Sequence, residues 1–188
     1  MSTLKWGVNQ GTSTNDLFQT RKWYECDDGY TIGGFYRSEC QSIFCLESMQ
    51  CVAPYIQHHL LQGPQIMQFE EGSCKEMDFT ASFDSAGTIE CDENYFVKGI
   101  FGGAGARINS GLGYIEKLKC CRYDDQYLLA GPSEYHDWLL DFDVGRENRW
   151  NLVDNTQFLT GLHRAGGEWD EPIHALDKAR VRKLYQSM

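Results

Sequence analysis

Aromatic and β-branched residues recur along the chain in short runs bounded by Gly, Asn, Asp and Pro, with the period-two alternation of half-buried strands. In the middle of the chain this pattern predicts strands over "DFTASF" (78–83), "GTIEC" (87–91), "NYFVKGIFG" (94–102) and "GYIEKLKCCRY" (113–123). Further on it predicts "DWLLDF" (137–142), "RWNLV" (149–153) and "TQFLTGLHR" (156–164), in the same order. The stretch "HALDKARVRKLYQ" (174–186) carries strong helix formers, but its place in the series argues for a strand, because tertiary context overrides propensity.

The series is an internal repeat. Gly34, Gly99 and Gly161 are each preceded two positions earlier by Ile32, Val97 or Leu159 and followed at once by Phe35, Ile100 or Leu162. Eight positions before each glycine stands Cys26, Cys91 or Val153. An apolar–acid step closes each passage: Leu46-Glu47, Ile115-Glu116 and Leu176-Asp177. Cys51, Cys120 and Val181 follow four residues after the acid. The glycines lie about sixty residues apart, longer than common solenoid repeats and suited to about four short strands. The apolar positions flanking each glycine would fall on opposite faces of a regular strand, which predicts a bulge or sharp bend there. The whole is one domain of three units, about 1–56, 69–123 and 134–188. Its linkers are "QHHLLQGPQIMQ" (57–68) and "DDQYLLAGPSEY" (124–135), both with a Gly-Pro step. The expected fold is all-β: a pseudo-threefold β-prism of three roughly four-stranded antiparallel units, stapled by disulfides.

The eight cysteines fit this scheme. No C-x-x-C pair is present, which weakens zinc and thioredoxin-like chemistry together. The third unit has lost its opening and closing cysteines at once, with Val153 and Val181 in their places, as expected if the two positions face each other across neighbouring strands. Hence Cys26 pairs with Cys51 and Cys91 with Cys120. Three pairings remain for Cys40, Cys45, Cys74 and Cys121. The simplest joins Cys40 to Cys45 and Cys74 to Cys121, so that the adjacent Cys120 and Cys121 point to opposite sides of a strand.

Composition narrows the partners. A formal charge of -10 and scattered Lys and Arg disfavour nucleic acid. The first twenty residues lack the layout of a secretion signal, which leaves a mature chain or a cytosolic protein; paired cysteines favour the oxidising, extracellular setting. No cofactor or metal is implied. Asp141 and Asp143 lack the rest of a calcium ladder, adjacent His58 and His59 make a poor metal pair, and His136, His163 and His174 have no nucleophile context. The repeated Glu47, Glu116 and Asp177 read as structural acceptors, with a hydrolase using them as the less favoured reading.

Loops after the glycine strands are the natural ligand sites. They supply Arg37 and Ser38 in the first unit, Arg107 and Asn109 in the glycine-rich second, and His163, Arg164 and Trp169 in the third. An opening cysteine, a "GFYRS"-like or "GIFGG"-like strand and a closing "KCCRY" resemble dermatopontin and the related invertebrate agglutinins and amebocyte aggregation factors, secreted proteins with three such repeats. The likeness covers Cys26 to Cys51, Cys91 to Tyr123 and, more weakly, Val153 to Val181. It departs where "LESMQC" and "IEKLKC" replace that family's Asp-Arg-x-Trp run. The chain is also similar to cysteine-paired, three-repeat β modules of pore-forming proteins. These resemblances imply a non-enzymatic protein that binds glycans, glycoproteins or cell-surface and matrix components, with room for homo-oligomers and multivalency. The alternative they imply is membrane targeting, for which Ile108, Leu112 and Trp169 are the candidate apolar tips.

Overall fold

A computed structural model describes residues 6–13, 21–39, 43–56, 65–79, 85–102, 112–124, 128–138, 149–166 and 175–186. The fold is all-β, and every strand pairing in it is antiparallel. In chain order the strands are β1 (Trp6–Ser13), β2 (Lys22–Glu25), β3 (Thr31–Arg37), β4 (Leu46–Ile56), β5 (Gln65–Ile66), β6 (Lys75–Asp78) and β7 (Gly87–Glu90). They continue with β8 (Phe96–Gly102), β9 (Ile115–Cys121), β10 (Leu128–Ala130), β11 (Glu134–Asp137), β12 (Arg149–Leu152), β13 (Gln157–Arg164) and β14 (Lys178–Gln186). The C-terminal stretch is a strand despite its helix formers, because β14 is paired on both sides, by β13 and by β10 and β11. The expected linkers hold β5, β10 and the start of β11. Strand β6 ends at Asp78 and β11 at Asp137, so the two expected edge strands lie earlier than the sequence suggested; residues 80–83 and 139–142 fall outside the described residues.

Three sheets share one connectivity. Among the described residues their orders are β1-β4-β3-β12, with β5 also pairing β4; β6-β9-β8-β2; and β10-β14-β13-β7, with β11 also pairing β14. In each, a glycine strand and its closing strand form the centre, and the outermost strand beside the glycine strand comes from a different unit. The first unit lends β2 to the second, the second lends β7 to the third, and the third lends β12 to the first. Strands β3, β8 and β13 each lie against the other two.

The lent strands explain the glycines. The predicted irregularity is present in all three units, as register shifts between Ile32 and Gly34, Val97 and Gly99, and Leu159 and Gly161. A methyl group on Gly34 would overlap the Asn151 carbonyl oxygen, one on Gly161 would overlap that of Ile89, and one on Gly99 would crowd that of Tyr24. Gly34 also has φ of +150°, where L side chains are strained. The residue before each glycine then anchors the lent strand: Cys26, Cys91 and Val153 donate backbone hydrogen bonds to the carbonyls of Lys98, Thr160 and Gly33 at 2.9, 2.8 and 3.0 Å.

The disulfides Cys26–Cys51, Cys91–Cys120 and Cys74–Cys121 are formed. Cys45 is disulfide-bonded too, and its expected partner Cys40 lies outside the described residues. One point of geometry differs from expectation. Cys26 follows β2, which belongs to the second unit's sheet, whereas Cys51 lies in the first unit's β4. The repeated bridge therefore ties two sheets together instead of neighbouring strands of one. Val153 and Val181 hold the equivalent places, both buried in the central apolar cluster with Ile32, Phe35, Val97, Ile100, Leu159 and Leu162. A second cluster (Val52, Phe96, Tyr123, Leu128, Phe158 and Leu184) closes one end. There the Tyr123 hydroxyl donates to the Gly29 carbonyl at 2.8 Å, and burial pushes its ionisation well above the usual phenol range.

Candidate recognition surface

Alternation along each strand sends one set of side chains to the core and the other outward. Two columns of the repeat meet on the outer faces, directly opposite one another in register. The first is the residue two positions after each glycine: Tyr36, Phe101 and His163. The second is the residue three positions before each opening Cys or Val: Trp150, Trp23 and Thr88. The three outer faces have diverged at these columns.

On the first sheet, Trp150 packs edge-on against Tyr36 with ring centroids 5.6 Å apart, and Trp150 is 39% exposed. The adjoining outward positions are Ser48, Gln50 and Leu152, none of them charged, and the half-buried Glu47 stands one residue before Ser48, at the repeat position that Glu116 holds on the second sheet. On the second sheet, Trp23 and Phe101 form the corresponding pair at 5.3 Å, but cations of the same chain lie over it. Lys119 Nζ stands 4.8 Å from the Trp23 centroid, and Lys117 Nζ and Arg21 Cζ stand 5.6 and 5.7 Å from that of Phe101. Glu25, Asp78 and Glu116 pair with these cations. On the third sheet, Tyr135 lies across the face: Arg180 Cζ is 4.2 Å from its centroid, and its hydroxyl is 3.1 Å from Thr88 Oγ1. Behind it Glu90 receives Arg180, Thr160 and Ser133 at 3.1, 3.0 and 2.5 Å.

The expected ligand residues are only partly on this surface. Arg37 and Arg164 sit at one equivalent position, but they end β3 and β13 instead of entering loops, and both side chains are fully buried and engaged. Ser38 is half-buried, its amide and hydroxyl directed to the Cys45 carbonyl. His163 is in β13 as well. Its Nδ1 is 2.5 Å from Asp177 Oδ1, and Tyr135 packs edge-on against its ring. Arg107, Asn109 and Trp169 lie outside the described residues, as do Ile108, Asp141, Asp143, His58, His59 and His174. Leu112, expected as an exposed tip, is fully buried in the central cluster, at the start of the short 3-10 turn that leads into β9.

The repeated acids also have different surroundings. Asp177 is buried against His163, while Glu116 is 3.9 Å from Arg21 of the first unit. Their backbones act alike: the Glu116 and Asp177 carbonyls accept from Phe79 and Trp138 at 2.8 and 2.7 Å. Among the described residues no group of three or more side chains could hold a metal ion, and no helix is long and apolar enough to cross a membrane.

Sequence reasoning missed Tyr36, Trp150, Trp23 and Phe101. Their signal lay in the repeat columns, where aromatics recur at fixed offsets from the glycine and the opening cysteine. No protein family, curated protein or solved structure matches the chain.

Proposed function

We propose that the chain is a secreted, non-enzymatic recognition protein that binds glycans of cell-surface or matrix components. In this reading its three units form a pseudo-threefold β-prism that serves as a rigid support. The observation that carries the reading is the Tyr36–Trp150 pair on an outer sheet face. A pyranose ring presents several C–H bonds on one side, and these pack favourably against the negative face of an indole. Ser48 supplies a neutral hydroxyl beside the rings. Both rings stand on hydrogen-bonded strands, β3 and β12, instead of on loops. The disulfide set suits an oxidising compartment, and the likeness to secreted three-repeat agglutinins points the same way.

The test is a broad glycan array with the oxidised protein, followed by titration of the best binder. Binding is expected to fall roughly tenfold or more in Trp150→Ala, as for a central aromatic anchor. A blank array together with flotation on phosphatidylcholine vesicles would replace this reading with membrane docking.

A further inference from the structure

Resting on the glycan reading, we infer that the chain carries one operative site, on the Tyr36–Trp150 face, and that its ligand is an uncharged, pyranose-containing glycan. The three faces descend from one pattern, so each serves as a control for the others. Only the first leaves its aromatic pair without a cation or a tyrosine of the same chain across it, among the described residues. On the second, a sugar would have to displace Lys117, Lys119 and Arg21 from the rings and from their carboxylate partners. Each such displacement forfeits a cation–π contact and an ion pair without replacing them. On the third, the columns hold Thr88 and His163 in place of an aromatic pair, and the Tyr135 ring is fixed over Arg180 by its contact with Thr88.

Charge sets the ligand class. Ser48, Gln50 and Leu152 offer a sialyl carboxylate or a sulfate no cation, Glu47 is the charged residue beside Ser48, and the formal charge of -10 adds repulsion at long range. Neutral hexose or N-acetylhexosamine units face neither cost. A ligand without charge also makes binding nearly independent of ionic strength. Strand repetition would ordinarily suggest three equal sites and multivalency; the divergence of the faces reduces this to one ligand per chain.

Calorimetric titration of the intact, oxidised protein with the strongest neutral glycan from the array tests this, alongside a sialylated and a sulfated counterpart. Expected are a stoichiometry of one, less than about a twofold change in affinity between roughly 50 and 500 mM NaCl, and at least about tenfold weaker binding of the charged counterparts. Trp150→Ala removes the signal, Trp150→Phe retains part of it with the disulfides intact by peptide mapping, and Trp23→Ala and Tyr135→Ala leave it unchanged. A stoichiometry above one, a preference for charged glycans, or loss of binding in Trp23→Ala or Tyr135→Ala would overturn the inference while leaving the glycan reading in place. No binding to any glycan would remove that reading itself, and this inference with it.

Discussion

The seam between the third and first units is built differently from the other two. Where β2 meets the second unit, Cys26 is bonded to Cys51, Glu25 pairs with Lys119, and Tyr24 fills the inward position. Where β7 meets the third unit, the counterparts are Cys91–Cys120, Glu90 with Arg180 at 3.1 Å, and Ile89. Where β12 meets the first unit, Val153 and Val181 replace the disulfide, Leu152 and Gln50 replace the ion pair, and Asn151 points inward. Asn151 is 1% exposed and neither atom of its amide has a hydrogen-bond partner; Gln50 Oε1 is likewise buried and unpartnered. The backbone pairing survives all of this. What every seam keeps is the glycine, the bulge and the anchoring hydrogen bond, so those are what the architecture requires, and the covalent bond is an addition.

The comparison also locates the weakest boundary. A buried amide without partners costs on the order of 1 to 3 kcal/mol, and a missing disulfide forgoes roughly 2 to 4 kcal/mol. Local opening should therefore begin at β12, the strand that presents Trp150.

Gly34→Ala should have the largest effect, because the added methyl meets the Asn151 backbone at a positive φ. A loss of about 3 kcal/mol or more is expected in denaturant unfolding. Gly99→Ala should cost less, since its methyl would stand 2.9 Å from the Tyr24 carbonyl oxygen, farther than one at Gly34 would stand from the Asn151 oxygen, and Gly99 has no positive φ. Equal costs would break the link between the penalty and the close backbone approach at a positive φ.

The double variant Val153→Cys with Val181→Cys should form a new bridge and gain roughly 2 kcal/mol under oxidising conditions, reversed by reductant. Two free thiols after oxidation, counted by alkylation and mass spectrometry, would show that the positions are not equivalent to the cysteine pairs. A smaller gain, about 1 to 2 kcal/mol, is expected for Asn151→Leu, which replaces an unsatisfied amide by an apolar group as in the other two units. A loss of stability there would mean that the amide is serving a contact in solution.

Much of this was legible in the chain. The Cys26–Cys51 and Cys91–Cys120 disulfides, the bulge at each glycine and the strand at 178–186 follow from aligned columns, because repeated positions report a shared environment even where the residues change, whereas Cys74–Cys121 was the simplest of the three pairings left. The exchange of strands between units was not legible. Alternation tells which face a side chain takes, but nothing local in "KWYE" reveals that its neighbour is β8 and not β3. The same blindness hid the proposed recognition surface, since Tyr36 and Trp150 are brought together only by that exchange. Arg37 and Arg164 misled in a different way. Charge near a strand end reads as a surface loop, whereas both guanidinium groups are enclosed at one equivalent position.

Because every sheet borrows its edge, no single repeat owns a complete set of neighbours. A repeat cut out and produced alone would carry one strand with nowhere to dock and one groove with nothing in it. Such a piece should stay unfolded in isolation until another segment supplies the strand it lacks.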